Sequence, residues 1–345
     1  MRMPWLDLFR GIAALVVVAY HFQVGLHLPK FSFGYLAVDL FFVLSGIVLG
    51  MRYTARIEAG MQFREFAWHR LRRLYPMAVI TAALIATMNA LDVPVGQYVH
   101  AWREGVWSVL FITPYPSGFG RVAAFPCDGA MWSLWAELAS NVVWFVALRL
   151  GRRVTASVLA LSMLAFMLLA IHGHEFFMGL EGDPRNLMKG LIRALAWFGV
   201  GYWIALRRPR PIAKPGWIIL ALVLACALFE THAVSDVLSG ALVVVSGTAL
   251  LVALMDRKPQ SAHVQRICAG LGALSFPLYL IHVPAGRLAW YPIHWGMNVV
   301  LAHILVLAAS GVLAALLNEF VVGHLPTDLH RVTPKDGVKP GITAH

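Results

Sequence analysis

Charge is what this sequence has least of. Only 13% of its 345 residues are Asp, Glu, Lys or Arg, while 59% are hydrophobic and the mean hydropathy is +0.71. A soluble globular domain carries about 25% charged residues, so that class is excluded. Cysteine is scarce as well. Cys127, Cys226 and Cys268 show no C-x-x-C and no metal-ligand spacing, which argues against a disulfide framework and against a metal site. No polar stretch between the apolar runs is long enough for a second folded domain. Acidic residues are also few, 17 against 28 Lys and Arg, giving a net charge of +11. That surplus could suggest a nucleic-acid partner, but the basic residues are parcelled between apolar runs, where they read as membrane topology. The first apolar run lacks a small-residue cleavage site and is followed at once by another, so it is not a cleavable signal.

What is present is a series of runs long enough to cross a bilayer. We predict ten spans, at about 8–27, 35–51, 74–91, 131–149, 154–172, 190–206, 216–232, 236–255, 271–290 and 298–322, since a crossing needs roughly 20 apolar residues. The run 105–115 is too short to cross and reads as re-entrant or interfacial. The expected fold is therefore all-α, a polytopic helical bundle over residues 1–322. Residues 323–345, with Pro334, Lys335, Pro340 and Gly341 and few apolar residues, are expected to form a disordered cytoplasmic tail. Alternate loops hold 21 of the 28 Lys and Arg, which predicts that both the N- and C-terminus lie inside.

Ionisable groups at membrane depth cost roughly 2.5 to 3.5 kcal/mol each and normally face a protein interior or a watery cavity. The first span, LDLFRGIAALVVVAYH, contains two of them, Arg10 and His21. Their eleven-residue spacing is three helical turns plus roughly 20°, so they share one face about 16 Å apart along the axis. Asp7, Ala14 and Val17 complete the stripe. Either residue alone has a plain structural explanation, Arg10 as a marker of the cytoplasmic end and His21 as an interhelical hydrogen-bonder.

Other spans place polar groups at similar depths. GYLAVDLFFVLSG puts Tyr35 and Asp39 one turn apart near the outer end of the second span, where a carboxylate could reach the depth of His21 or simply be favoured by the helix N-terminus. HRLRRLYP closes a loop holding six arginines and no lysine. Arg70 and Arg73 face alike and suit bidentate phosphate recognition. In MWSLWAELASN, Ser133, Glu137 and Asn141 repeat at four, and an intramembrane glutamate is a functional candidate by default. In LGALSFPLYLIHVP, Ser275, Tyr279 and His282 share a face, and Pro277 and Pro284 are expected to kink or end the helix.

Four separated stretches carry a resemblance. The chain resembles the acyltransferase 3 family of bacterial membrane O-acyltransferases in Arg10 with His21, in GYLAVDLFFVLSG, in RLRRLYP, and in WSLWAE with SFPLYLIHVP. It departs where many members have a second acid and then Phe-Tyr in the fourth span, holding Leu138, Ser140 and Asn141 instead. The resemblance implies a multi-pass protein of the bacterial inner membrane that moves an acyl group, usually acetyl, from cytoplasmic acetyl-CoA to a saccharide hydroxyl at the outer side. It maps the family's essential histidine on His21, its first-span arginine on Arg10 and its RxxR donor motif on Arg70 and Arg73. It implies acyl-CoA, a saccharide and membrane lipid as partners, with no resident cofactor, no metal and no nucleic acid.

The physical reading joins the resemblance in one mechanism. An arginine cluster is the expected dock for CoA phosphates, and His21 the general base on the acceptor hydroxyl, since imidazole titrates near neutrality. Asp39 or Glu137 would fix its tautomer. Tyr35, Ser133, Ser275, Tyr279 and His282 would bind the acceptor or line a cavity running from Arg70 and Arg73 to His21. The competing readings are a proton-coupled transporter or flippase, in which the same His, Asp and Glu relay protons, and a sensor or scaffold without chemistry.

Overall fold

The computed structural model describes residues 3–26, 32–111, 115–116, 122–123, 125, 129–173, 184–209, 215–232, 234–257, 259, 261–317 and 319. The expected tail at 323–345 lies outside them. The described chain is a helical bundle. In order come α1 (Pro4–Leu26), a 3-10 turn (Ser32–Leu36), α2 (Ala37–Arg52), the short α3 (Thr54–Glu58), α4 (Phe63–Leu91) and α5 (Tyr98–Val109), the last after a second 3-10 turn (Val95–Gln97). A two-residue hairpin follows, β1 (Tyr115–Pro116) antiparallel to β2 (Val122–Ala123). Then come α6 (Met131–Leu150), α7 (Arg152–Gly173), α8 (Pro184–Arg207), α9 (Gly216–Glu230), α10 (Asp236–Met255), α11 (Ala262–Leu288), the short α12 (Trp290–His294) and α13 (Val299–Leu317).

Each predicted span coincides with a helix, and the short run 105–115 falls on α5 and the turn beyond it. Among the described residues, eight helical segments are long and apolar enough to cross a membrane: Pro4–Phe22, Ser32–Arg52, Phe63–Leu91, Met131–Leu150, Arg152–Gly173, Asp236–Met255, Ala262–His294 and Val299–Leu316. The other two expected spans do not meet that test. The 15 residues of α9 rise only about 22 Å, short of the roughly 30 Å hydrocarbon layer. Lys189, Arg193 and Arg207 make α8 too polar.

Two boundaries differ from expectation for the same reason. The third span begins at Phe63, well before the expected 74, and carries Pro76 inside it. Pro277 and Pro284, expected to kink or end their helix, also lie inside a continuous α11. Each proline removes one N–H donor. Abandoning the helix would strand several carbonyls and amides where no water replaces their partners, and neighbouring side chains in a bundle absorb the smaller loss.

Caps and turns follow local chemistry. The Ser235 hydroxyl accepts the Leu238 amide at the start of α10, and Ser261 accepts the His263 amide at the start of α11. Gly151, at φ +108°, turns α6 into α7 in a conformation that side-chained residues rarely adopt. The Thr155 hydroxyl then lies within donating distance of the Ala147 and Gly151 carbonyls, at 3.1 and 3.0 Å, a second contact for carbonyls that also accept the Gly151 and Thr155 amides.

Two close helix pairs position the interior. α1 packs along α11, and α2 along α8. In the second pair the backbones touch: a Cβ built on Gly46 would overlap the Phe198 carbonyl, and one on Gly201 would overlap the Val43 carbonyl. Small residues at such crossings let helices approach where burial of apolar surface gives no advantage over lipid. Near the arginine-rich ends of α2, α4, α6 and α8, Tyr53, Phe66, Trp144, Phe145, Phe198 and Tyr202 form a compact aromatic cluster, with Trp144 stacked on Phe198 at 6.1 Å. At the opposite end Arg287 ties α11 to Asn89 and Asp92 at the end of α4. Gly201→Val is accordingly expected to lower the thermal unfolding temperature in detergent by more than the roughly 1 to 3 kcal/mol of ordinary overpacking, because backbone atoms have no rotamer to retreat into. Gly311→Val, at a glycine with open space around it, is expected to leave it nearly unchanged.

Candidate active site

On α1 the predicted stripe faces the protein. Ala14 and Val17 are fully buried, whereas Ile12 and Leu15 on the opposite face are exposed. His21 belongs to the inward stripe yet is exposed, and it lines a small, partly open chamber with Tyr20, Tyr35, Trp132, Arg193 and Tyr279. Its Nδ1 lies 2.9 Å from the Val17 carbonyl one turn earlier. A carbonyl only accepts, so the proton is on Nδ1 and Nε2 carries the free lone pair. The Tyr20 ring meets the imidazole edge-on at 5.1 Å.

Neither expected carboxylate pairs with this histidine. Asp39 is wholly buried and receives two 2.7 Å hydrogen bonds from Nε and Nη2 of Arg193, which is 1% exposed. Tyr35 lies over the same guanidinium, 5.5 Å from ring centre to Cζ. A buried carboxylate needs a full positive charge and matched donors, and a bidentate guanidinium supplies both better than a neutral imidazole. Arg193, which the sequence reading did not single out, is an interior residue of α8. An arginine inside the apolar run LIRALAWFGV was the available signal.

Glu137 sits elsewhere too. It accepts a 2.7 Å hydrogen bond from Ser45, a residue the sequence did not single out, and lies 3.5 Å from Arg70 Nη2. Together with Arg10, Arg70 and Arg73 it lines a second chamber, a cleft whose remaining wall is mostly apolar, including Phe41, Phe42, Leu74 and Phe276. The structure thus brings the three predicted donor-site arginines together. Arg10 has Asp7 at 3.8 Å, and Arg70 is buried with no hydrogen-bond partner for Nε or Nη2. Three guanidinium groups and one carboxylate leave the cleft with a surplus of positive charge.

The two chambers share two wall residues, Val38 and Tyr279. At this joint the Tyr279 hydroxyl is 2.6 Å from Ser133 Oγ, which itself donates to the Ala130 carbonyl at 3.0 Å. The arrangement is therefore a pair of abutting chambers, in place of the single cavity expected. Tyr279, Tyr35 and Ser133 line them, while Ser275 and His282 do not. Ser275 is buried and donates to the Gly272 carbonyl in its own helix. His282 is 1% exposed and packs behind His21, ring centres 4.7 Å apart, with Nδ1 on the Tyr279 carbonyl and no hydrogen bond to Nε2. The remaining member of the fourth-span stripe, Asn141, donates to the Glu137 carbonyl at 2.8 Å. No group of three or more His, Cys, Asp or Glu able to hold a metal occurs among the described residues.

Comparison with known proteins assigns this geometry a class. The family model of the acyltransferase domain, acyltransferase 3, matches residues 3–318. The chain belongs to this family. It is a multi-pass membrane acyltransferase, and the transporter and scaffold readings give way to an enzyme. Protein 2 in the picA locus of Rhizobium radiobacter is 33% identical over 49% of this chain and 95% of that protein. YrhL of Bacillus subtilis (strain 168), whose name gives it provisionally as a peptidoglycan O-acetyltransferase, is 23% identical over 92% of this chain and 54% of its own. The peptidoglycan O-acetyltransferase OatA of Listeria monocytogenes is 25% identical over 41% of this chain and 23% of its own. The chain thus spans about half of the second relative and about a quarter of the third. No solved structure matches.

The Asp39–Arg193 pair yields a stability prediction. Removing one member of a buried pair typically costs about 3 to 5 kcal/mol, whereas replacing both with apolar residues is often tolerated. Asp39→Asn is expected to destabilise the folded protein strongly, and the double variant Asp39→Leu with Arg193→Met to be closer to wild type. Thermal unfolding of the detergent-solubilised protein checks the order.

Proposed function

We propose that the protein is an O-acyltransferase that carries an acyl group, acetyl by preference, from acyl-CoA bound at the arginine chamber to a saccharide hydroxyl activated by His21. The observation that carries this reading is the contact of the two chambers at Tyr279, one rich in guanidinium groups and the other holding an imidazole with a free Nε2. The phosphates of CoA match Arg10, Arg70 and Arg73 in charge, and guanidinium forks suit phosphate oxygens. The phenylalanine-lined remainder of the cleft suits the less polar arm that carries the thioester. Two relatives named as peptidoglycan O-acetyltransferases support a glycan of the cell envelope as acceptor. The positive-inside distribution of Lys and Arg supports a donor approaching from the cytoplasm and an acceptor from the other side, with both termini inside.

His21 Nε2 takes the proton of the acceptor hydroxyl as its oxygen attacks the thioester carbonyl. The Nδ1–H bond to Val17 holds the ring in the one tautomer that can do this and partly offsets the positive charge the ring acquires. Glu137 balances charge among the arginines and, through Ser45 and Arg70, holds the donor-side geometry.

His21→Ala is expected to reduce acetyl transfer by at least the 10²- to 10⁴-fold typical of a general base, with insertion and thermal stability retained. Transfer from radiolabelled acetyl-CoA to cell-envelope glycan in nanodiscs measures it, and near wild-type turnover would remove His21 from the mechanism. Because a lysine ammonium cannot reproduce a bidentate fork, Arg70→Lys and Arg73→Lys are each expected to weaken CoA binding about tenfold. Calorimetry with CoA reads this directly, and unchanged affinity would leave the two arginines with a role in topology alone.

A further inference from the structure

We propose that Tyr279, keyed by Ser133, is a catalytic residue of the transfer: its phenolic O–H closes the joint between the chambers at rest and donates to the acyl carbonyl oxygen when the thioester arrives. This rests on the donor and base assignments above and goes beyond them by naming the group that stabilises the transition state.

The argument starts from hydrogen accounting at the joint. The Ser133 hydroxyl has one proton, and the Ala130 carbonyl 3.0 Å away can only accept it. Either hydroxyl can donate across the 2.6 Å contact between Ser133 Oγ and the Tyr279 oxygen, and with the serine proton on Ala130 the donor there is the tyrosine, whose own distance to that carbonyl is the longer 3.4 Å. Both hydroxyls are buried where the chambers meet, and Tyr279 belongs to both walls. An acyl group passing from the arginine cleft to His21 must cross at this point.

The tyrosine proton need only swing from Ser133 Oγ to the incoming carbonyl oxygen, one hydrogen bond replacing another. The exchange is nearly neutral for a thioester carbonyl, a weak acceptor. It becomes favourable as that oxygen gains negative charge, so the contact acts mainly in the transition state. The step balances as follows. The acceptor oxygen bonds to the carbonyl carbon while its proton goes to His21 Nε2, and the C=O π pair moves to the oxygen facing Tyr279. Collapse restores the C=O, breaks the C–S bond and releases the CoA sulfur, which takes the proton back from His21 Nε2. The products are the ester and free CoA thiol.

The ring is well held for this role. Phe41 meets it edge-on at 5.6 Å and His282 packs at 5.8 Å, so the hydroxyl has little freedom except the torsion of its proton. The neighbouring carbonyl of Ala130 lies 3.4 Å from the tyrosine oxygen, leaving Ser133 as the shorter resting partner.

The test is steady-state transfer from acetyl-CoA to cell-envelope glycan by the full-length protein in nanodiscs, with CoA affinity measured in parallel by calorimetry. Tyr279→Phe is expected to lower kcat by about 10²- to 10³-fold, the loss seen when one oxyanion donor is removed, with CoA affinity within twofold of wild type. Ser133→Ala is expected to lower kcat by about tenfold or less, since it removes the partner that parks the proton but not the donor itself. Site-specific 3-fluorotyrosine at 279 keeps the ring and makes the donor more acidic, and is expected to change kcat several-fold without moving KM for the donor. A Tyr279→Phe enzyme within threefold of wild type would overturn the proposal, as would an unchanged kcat in the fluorotyrosine protein. The latter decides the matter if the phenylalanine variant fails to fold. Absence of CoA binding by the wild-type protein would instead defeat the donor assignment on which the proposal stands.

Discussion

An unpartnered charge in hydrocarbon is so costly that every ionic group at depth in this bundle has to be accounted for by another, and the interior is arranged accordingly. Asp39 is fully enclosed because Arg193 reaches it from α8 with two matched donors, which in turn locks the close α2–α8 crossing around the Gly46 and Gly201 contacts. Around Glu137 the balance is deliberately incomplete. One carboxylate faces Arg10, Arg70 and Arg73 in a common cleft, and Arg70 keeps two buried N–H groups without acceptors. Such a surplus suits an anion, which is the role proposed for this cleft.

The histidine is solved differently. In hydrolytic triads a carboxylate fixes the imidazole tautomer and stabilises its charged form. Here the backbone does the first of these tasks, since the Val17 carbonyl one turn away accepts from Nδ1. A carboxylate beside the imidazole would have required its own desolvation, and Asp39 is already committed to Arg193. In the proposed mechanism the imidazolium is therefore stabilised by a dipole in place of a charge. That places more of the burden on the other side of the reaction, where the oxygen of the acyl group becomes negative.

Contacts within one helix were legible from the sequence; contacts between helices were not. The shared face of Arg10 and His21, the pairing of Arg70 with Arg73 and the existence of the spans all follow from a period of 3.6 and from hydropathy. Asp39 illustrates the limit. Its depth was readable, but which of His21 and Arg193 it would meet depends on how α2 crosses α1 and α8. That crossing is set by glycines whose meaning emerges only when the opposing carbonyls are in place. The stripe Ser133, Glu137 and Asn141 was correctly drawn along α6, yet its members serve three different neighbours. The prolines of α11 do not end their helix for a physical reason: a broken helix needs a solvent for its freed backbone groups that a bundle interior does not provide.

The division into two chambers gives the proposed transfer its direction. In the proposed transfer the donor's phosphates stay in the arginine cleft, because the guanidinium of the outer chamber, Arg193, is already paired with Asp39. Only the narrow, uncharged end of the donor gains by advancing, and it meets first a hydroxyl able to polarise its carbonyl and then the free Nε2 of His21. An acceptor coming from the other side finds an aromatic, largely neutral pocket with no cationic group left over to retain the CoA phosphates. In the proposed transfer, charge thus keeps the donor's head at one end while its acyl group crosses.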